Sequence, residues 1–174
     1  MDPAAPQTGE LVVAGGEHIP PLLKEIEQRL RAEALGYGAP LQQFGEATIA
    51  AGGKRLRPLL LLLCAGPPEN DRQRAAMVRA GAAIELIHSA TLVHDDVLDQ
   101  ADLRRGKPTV VSLAGRDAAI STGDLLFARA FLAITESGDA EAVQLLSDAC
   151  SALARGELLQ RADSWDSSIS RERY

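Results

Sequence analysis

The run His94-Asp95-Asp96-Val97-Leu98-Asp99 gathers three carboxylates at the end of an otherwise apolar stretch. On a helix, Asp95 and Asp99 stand one turn apart on one face, with Asp96 beside them. Converging carboxylates repel one another and destabilise the helix end unless a cation compensates them. Hard oxygen donors, with no cysteine or paired histidine nearby, suit Mg²⁺, an ion that often shares its shell with substrate phosphates. A solvated acidic helix end is the competing reading of the same residues.

Basic segments lie on both sides. Gly52-Gly53-Lys54-Arg55-Leu56-Arg57-Pro58 sets three cations at a glycine break that opens a helix. Free backbone N–H groups and the helix dipole favour an anion there; an exposed basic turn is the alternative. His88 lies seven residues before Asp95, two turns up and on nearly the same face. A buried polar residue is the more ordinary role for such a histidine. Asp102-Leu103-Arg104-Arg105-Gly106-Lys107-Pro108-Thr109 follows the carboxylates at once. The whole chain is acidic, 18 basic against 24 acidic residues and a net charge of −6. That balance speaks against general nucleic-acid binding. Two basic clusters around a carboxylate cluster then share one explanation: a ligand with two diphosphates, held partly through metal.

The elements that must position these residues read as helices. Ile19, Leu22, Leu23, Ile26 and Leu30 recur at helical spacing. A second helix is expected over Leu41 to about Ala51, and a third, Leu-rich one has Pro58 in its first turn. Asn70 or Asp71 caps a long helix from about Arg72 to Gln100, apolar nearly all round and therefore central to a bundle. Further helices are expected at Val110–Leu113, Arg116–Glu136 and Ala140–Leu159, with a helix end and loop over Gly156 to Ser170. Ser168 or Ser170 would cap a last helix. Nothing alternates at period two over a useful length, so the class is all-α. Residues 1–16 read as a flexible N-terminal tail and 17–174 as the folded part. Cys64 and Cys150 lie in apolar stretches and read as two buried thiols in a reducing cytoplasm. The start of the chain has no secretory pattern, and the apolar run Leu59 to Gly66 is too short to span a bilayer.

Taken in order, GGKRLRP, HDDVLD, DLRRGKPT and GDLLFARAF resemble a trans-isoprenyl (polyprenyl) diphosphate synthase from about Ile19 to Tyr174. The resemblance implies the N-terminal half of the isoprenoid synthase fold, a helical bundle. It implies that Asp95, Asp96 and Asp99 form the first aspartate-rich motif, holding Mg²⁺ on an allylic prenyl diphosphate that Arg104 also contacts. Lys54, Arg57, His88 and Arg105 would hold the diphosphate of isopentenyl diphosphate, and Gln160, in Gly156-Glu157-Leu158-Leu159-Gln160, would face the reaction centre. Ile84, Ile87 and Thr91 lie on the helix above the metals, with Ala90 beside Thr91. With no Phe or Tyr to floor the pocket, the resemblance implies a growing tail free to reach C25 or longer.

The family's second aspartate-rich motif has no counterpart in this sequence; Asp163 and Asp166 have the wrong spacing. A half-bundle would also leave broad apolar faces open to water. A separate chain carrying the second motif is therefore expected to complete the active site in trans, and the resulting unit to pair further. A regulatory subunit that modulates a full-length synthase is the runner-up. A truncated product and a terpene cyclase fragment complete the alternatives. A cyclase needs no second diphosphate pocket, which sets Lys54, Arg57, His88 and Arg105 against it.

Overall fold

The computed structural model describes residues 5–173, which divide into two units with the boundary after Asp139. The first carries helices α1 (Ala5–Ala14), α2 (Ile19–Glu33), α3 (Leu41–Ala50), α4 (Leu56–Ala65), α5 (Asp71–Leu98), α6 (Val110–Ala114) and α7 (Arg116–Thr135). Strands β1 (Leu103–Arg104) and β2 (Lys107–Pro108) form a small antiparallel hairpin between α5 and α6. The second unit is α8 (Ala140–Ala162) with the turns that follow it. The class is all-α, as the periodicity predicts.

The long helix α5 is the axis of the first unit. The Asn70 side chain accepts from the Gln73 N–H, and Asp71 in the first turn complements the dipole. Ala82, Ala83, Leu86, Ala90 and Val93 are buried on several sides of it. Its main partner is α7, whose buried Ala119, Gly123, Leu126, Ala130 and Ala133 recur every three or four residues. Small residues allow the close approach. A Cβ on Gly123 would overlap the His94 ring, and one on Gly81 would stand 2.5 Å from Ile26 Cδ1 of α2. Helix α2 meets α5 through Ile19, Leu22, Ile26 and Leu30, all buried, and α4 adds Leu59 and Leu62. By length and composition α5 and α7 could each cross a bilayer; here they form the core pair of a helical bundle.

Each of the three buried carboxylates faces an arginine. Glu33 meets Arg29 and Arg129, Glu85 meets Arg55, and Asp96 meets Arg104. Unpaired, each would cost several kcal/mol or lose its charge.

Four expectations need correction. Residues 5–14, read as part of a tail, form α1, and the chain after it closes on the core where Gly15 leaves no room beside Leu63 and Ile19. Residues 1–4 of that tail lie outside the described residues. The polar stretch after α5 contains a hairpin whose two-residue turn, Arg105 and Gly106, has positive φ at both positions (54° and 76°). That pair of signs is the type I′ signature, which suits hairpins because its twist matches the strands. Helix α8 continues through Gly156 to Ala162 where a helix end was expected, since one glycine costs a helix only about 1 kcal/mol. Cys64 is exposed and Cys150 half-buried, so neither is a buried thiol. After α8 the described residues form turns, in which the Ser170 Oγ accepts from the Arg173 N–H. No residue of α8 is buried, and Leu145, Leu153 and Leu158 are exposed.

Candidate active site

The site lies where the C-terminal end of α5 meets the hairpin and the loop between α3 and α4. The last turn of α5 carries Asp95 and Asp96 with Asp99 as its C-cap, and no basic residue. Negative charge at the negative end of a helix dipole is locally unfavourable. A sequence selected only for folding would not keep it; a cation-binding end would.

The three aspartates do not converge, contrary to the sequence reading. Successive residues on a helix turn by about 100°, so Asp96 points away from the face shared by Asp95 and Asp99. Asp96 is 5 % exposed, and its Oδ1 accepts from Arg104 Nε at 2.8 Å. Asp95 is half-buried and Asp99 exposed. Among the described residues no three His, Cys, Asp or Glu side chains group closely enough to hold a metal ion. Two carboxylates one turn apart nevertheless fit Mg²⁺, which is often bound by one or two carboxylates and completes its shell with water and phosphate oxygens.

His94 fixes the rotation of this helix end. Its Nε2 donates to the Ile120 carbonyl at 3.2 Å and lies 3.5 Å from Asp124 Oδ1. Its ring stacks on Phe127 at 5.7 Å, above the backbone of Gly123. With His94 seated on α7, the next residue, Asp95, is turned about 100° out of that interface.

The hairpin brings Arg104 and Arg105 back across α5. Arg105, held in the left-handed region, reaches over with its Nη1 to donate to the Gly52 carbonyl in the glycine break. The guanidinium also lies 3.2 Å from where a Gly53 Cβ would be, so that glycine gives it room. Thr109 anchors the far end of the hairpin: its Oγ1 donates to the Ala101 carbonyl at 2.7 Å and accepts from the Ser112 N–H. Between α3, α5, the hairpin and α6 lies a cavity of about 120 Å³ with Thr48, His88, Ser89, Asp96, Arg104 and Arg105 in its walls. His88 is half-buried and titrates below its ordinary value. Burial is the main cause; the charges of Arg57, Arg105 and Arg104 add to it and outweigh the opposing effect of Glu85. Arg104 and Arg105 share the cavity wall with His88.

Of the remaining predicted residues, Lys54 and Arg57 are exposed on the glycine loop. Arg55, the third cation of that loop, turns inward and is not part of the exposed group. On α5, Ile84 and Thr91 are half-buried, while Ile87 and Ala90 are buried, Ala90 completely. Gln160 is exposed on α8, in the second unit. Sequence reasoning passed over Glu85, the His94–Gly123 contact and the inward turn of Arg55.

The fold is thus an all-α bundle in which an acidic helix end adjoins the hairpin that carries Arg104 and Arg105. The polyprenyl synthetase family model matches residues 39–174, and the chain belongs to that family. The chain is 38 % identical over 134 residues to an octaprenyl diphosphate synthase of Escherichia coli, covering 77 % of this chain and 41 % of the relative. It is 42 % identical over 142 residues to heptaprenyl diphosphate synthase component 2 of Geobacillus stearothermophilus, covering 82 % and 42 %. Among solved structures, a heptaprenyl diphosphate synthase from Staphylococcus aureus superimposes with a TM-score of 0.81 at 34 % identity, over 88 % of this chain and 48 % of that one. The chain thus spans about two fifths of the length of these curated relatives.

Proposed function

We propose that this chain provides the first half of the active site of a Mg²⁺-dependent prenyltransferase, joining isopentenyl diphosphate to an allylic prenyl diphosphate. One observation carries the reading: His88, Arg104 and Arg105 share a cavity wall with Asp96, which lies next to Asp95 in the last turn of α5. Arg57, His88 and Arg105, with Lys54 on the same loop, would bind the isopentenyl diphosphate. Arg104, its Nε pinned by Asp96, would present its remaining N–H groups to the allylic diphosphate.

Asp95 and Asp99 would hold Mg²⁺, which neutralises diphosphate charge and so favours its departure. The carbon–oxygen bond of the allylic diphosphate breaks with both electrons going to oxygen. The isopentenyl double bond then attacks the allylic carbon, and the proton lost from the adjacent carbon passes to the released diphosphate. No side-chain nucleophile is needed. Arg104 contributes by holding charge that grows as the bond breaks, an effect felt mostly in the transition state. Desolvation and the cationic surroundings keep His88 neutral in the empty site. A bound diphosphate reverses that balance, so His88 gains a proton as the anion enters.

The reaction centre is completed by a further acidic segment, which this reading assigns to a second polypeptide. The name of the Geobacillus relative, a component 2, supports assembly from more than one kind of chain. Free thiols at Cys64 and Cys150 suit a reducing cytoplasm. The product is C25 or longer, because Ala90 and Thr91 are small: Thr91→Phe and Ala90→Phe are each expected to shorten it. An unchanged product distribution by chromatography would remove both from chain-length control.

The test is isopentenyl incorporation with Mg²⁺ and an allylic primer, using the chain with and without the C-terminal half of a full-length relative. Activity only with both, abolished by Asp95→Asn, supports the proposal. A chain that alters the products of a full-length synthase equally well with or without Asp95 would be a regulatory subunit instead.

A further inference from the structure

Within the basic loop, Arg55 behaves unlike its neighbours. Lys54 and Arg57 are exposed, whereas Arg55 sits in the left-handed region (φ 48°) and turns its side chain into the protein. There it makes contacts with three helices. Nε donates to Glu27 Oε2 of α2 at 3.0 Å, Nη1 to Glu85 Oε1 of α5 at 3.0 Å, and Nη2 to the Ile49 carbonyl of α3 at 3.1 Å. A non-glycine residue in that region costs of order 1 kcal/mol and persists where surrounding contacts hold it.

Glu85 makes the arrangement informative. It is 3 % exposed, lines the same cavity as His88, Arg104, Arg105 and Arg55 itself, and its Oε2 is buried without a hydrogen-bond partner. A carboxylate in the wall of a diphosphate site opposes the anion the site is built to take. Its one hydrogen-bonded cation is Arg55, through Oε1. The fork geometry of a guanidinium also lets the same side chain hold the loop against α2 and α3.

We infer that Arg55 is a positioning residue: it cancels the charge of Glu85 in the cavity wall that the two share, and is not itself a ligand of the diphosphate. This rests on the reading of the cavity as a diphosphate site. Direct binding by Arg55 and masking of Glu85 make opposite predictions once Glu85 is neutralised, so a double-mutant cycle separates them.

The experiment is calorimetric titration of isopentenyl diphosphate and of pyrophosphate into wild type, Arg55→Gln, Glu85→Gln, the double variant and Arg55→Lys, with circular dichroism to check folding. Arg55→Gln is expected to weaken binding about tenfold, the effect of one uncompensated charge near the anion. Glu85→Gln should bind no more weakly than wild type. The double variant and Arg55→Lys should return to within about threefold of it, since neither leaves a net buried charge. A double variant as weak as Arg55→Gln would make Arg55 a direct ligand and overturn the inference. So would an Arg55→Gln protein that binds like wild type. Should Arg55→Gln alone fail to fold, the double variant and Arg55→Lys still decide: tight binding supports masking, and loss of binding in the folded double variant overturns it. A wild-type chain that binds neither anion overturns the functional reading, and this inference with it.

Discussion

At the scale of single residues, adjacent aspartates have different roles because a helix turns them to different sides. Asp95 and Asp99 share the outer face of the α5 end; Asp96 is buried on Arg104. Asp95→Asn and Asp99→Asn are therefore expected to raise the Mg²⁺ concentration needed for activity. Asp96→Asn should instead cost about 2 kcal/mol of stability, the scale of a lost charged hydrogen bond at a buried site. Activity titrations against Mg²⁺, set beside denaturant unfolding, would reveal the split; equal loss of metal response in all three would refute it. His88 gives a pH prediction with a definite sign. Its value in the folded chain is lowered from 6.5, so the unfolded chain binds more protons in the window just below that pH. The stability that neutral His88 contributes is complete above 6.5 and is lost as pH falls through the lowered value. Thermal melts should show wild type losing more stability than His88→Gln on acidification, whereas added pyrophosphate, which favours the protonated ring, should bind more tightly as pH falls. Calorimetry in two buffers near pH 6 should record proton uptake, and none in His88→Gln.

At the scale of elements, the site depends on how closely α5 and α7 approach. The His94 ring occupies the space where a Gly123 side chain would be. Gly123→Ala is expected to displace the ring, cost about 1–3 kcal/mol as an overpacked contact, and rotate Asp95 out of place. Its signature is joint loss of stability and of Mg²⁺ response, where Gly156→Ala, on exposed α8 with nothing within 4 Å, should stabilise the helix slightly. Most of the helices were legible in the sequence because their signals are local: Ile19 to Leu30 at period 3.6, Asn70 before a long apolar stretch, and Pro58 in a first turn. The site was legible only in its residue types. Which aspartate is buried, and which of Lys54, Arg55 and Arg57 turns inward, depends on partners 8 to 30 residues away, Arg104 and Glu85. No local pattern announces such contacts. Helix α1 was missed for a related reason, since the chain after it closes on the core through contacts of Gly15 with Leu63 and Ile19.

At the scale of the whole molecule, the two units differ in how they meet water. Residues 5–139 bury a core of Ile, Leu and Ala around α5 and contain the residues proposed to hold the isopentenyl diphosphate. Helix α8 buries nothing, and it carries Leu145, Leu153 and Leu158 exposed at 64 %, 54 % and 71 %. Exposed leucines at separated positions of one helix are costly to leave wet, at about 25 cal/mol for each Å² that a partner could cover. The exposed leucines and the anion site should therefore respond independently to mutation. Leu153→Glu with Leu158→Glu is expected to weaken association with the C-terminal half of a full-length relative by at least tenfold, because two charges would have to be desolvated at the interface. Pyrophosphate binding by the chain itself should stay within about twofold, since the residues proposed to hold the anion all belong to the first unit. Sedimentation of the mixed chains, run beside calorimetric titration of this chain alone, measures both quantities on the same preparation. Unchanged association would show that the complementing segment docks elsewhere than on the α8 leucines. Lost anion binding would show that α8 helps to shape the diphosphate site directly, and that the first unit cannot build it alone.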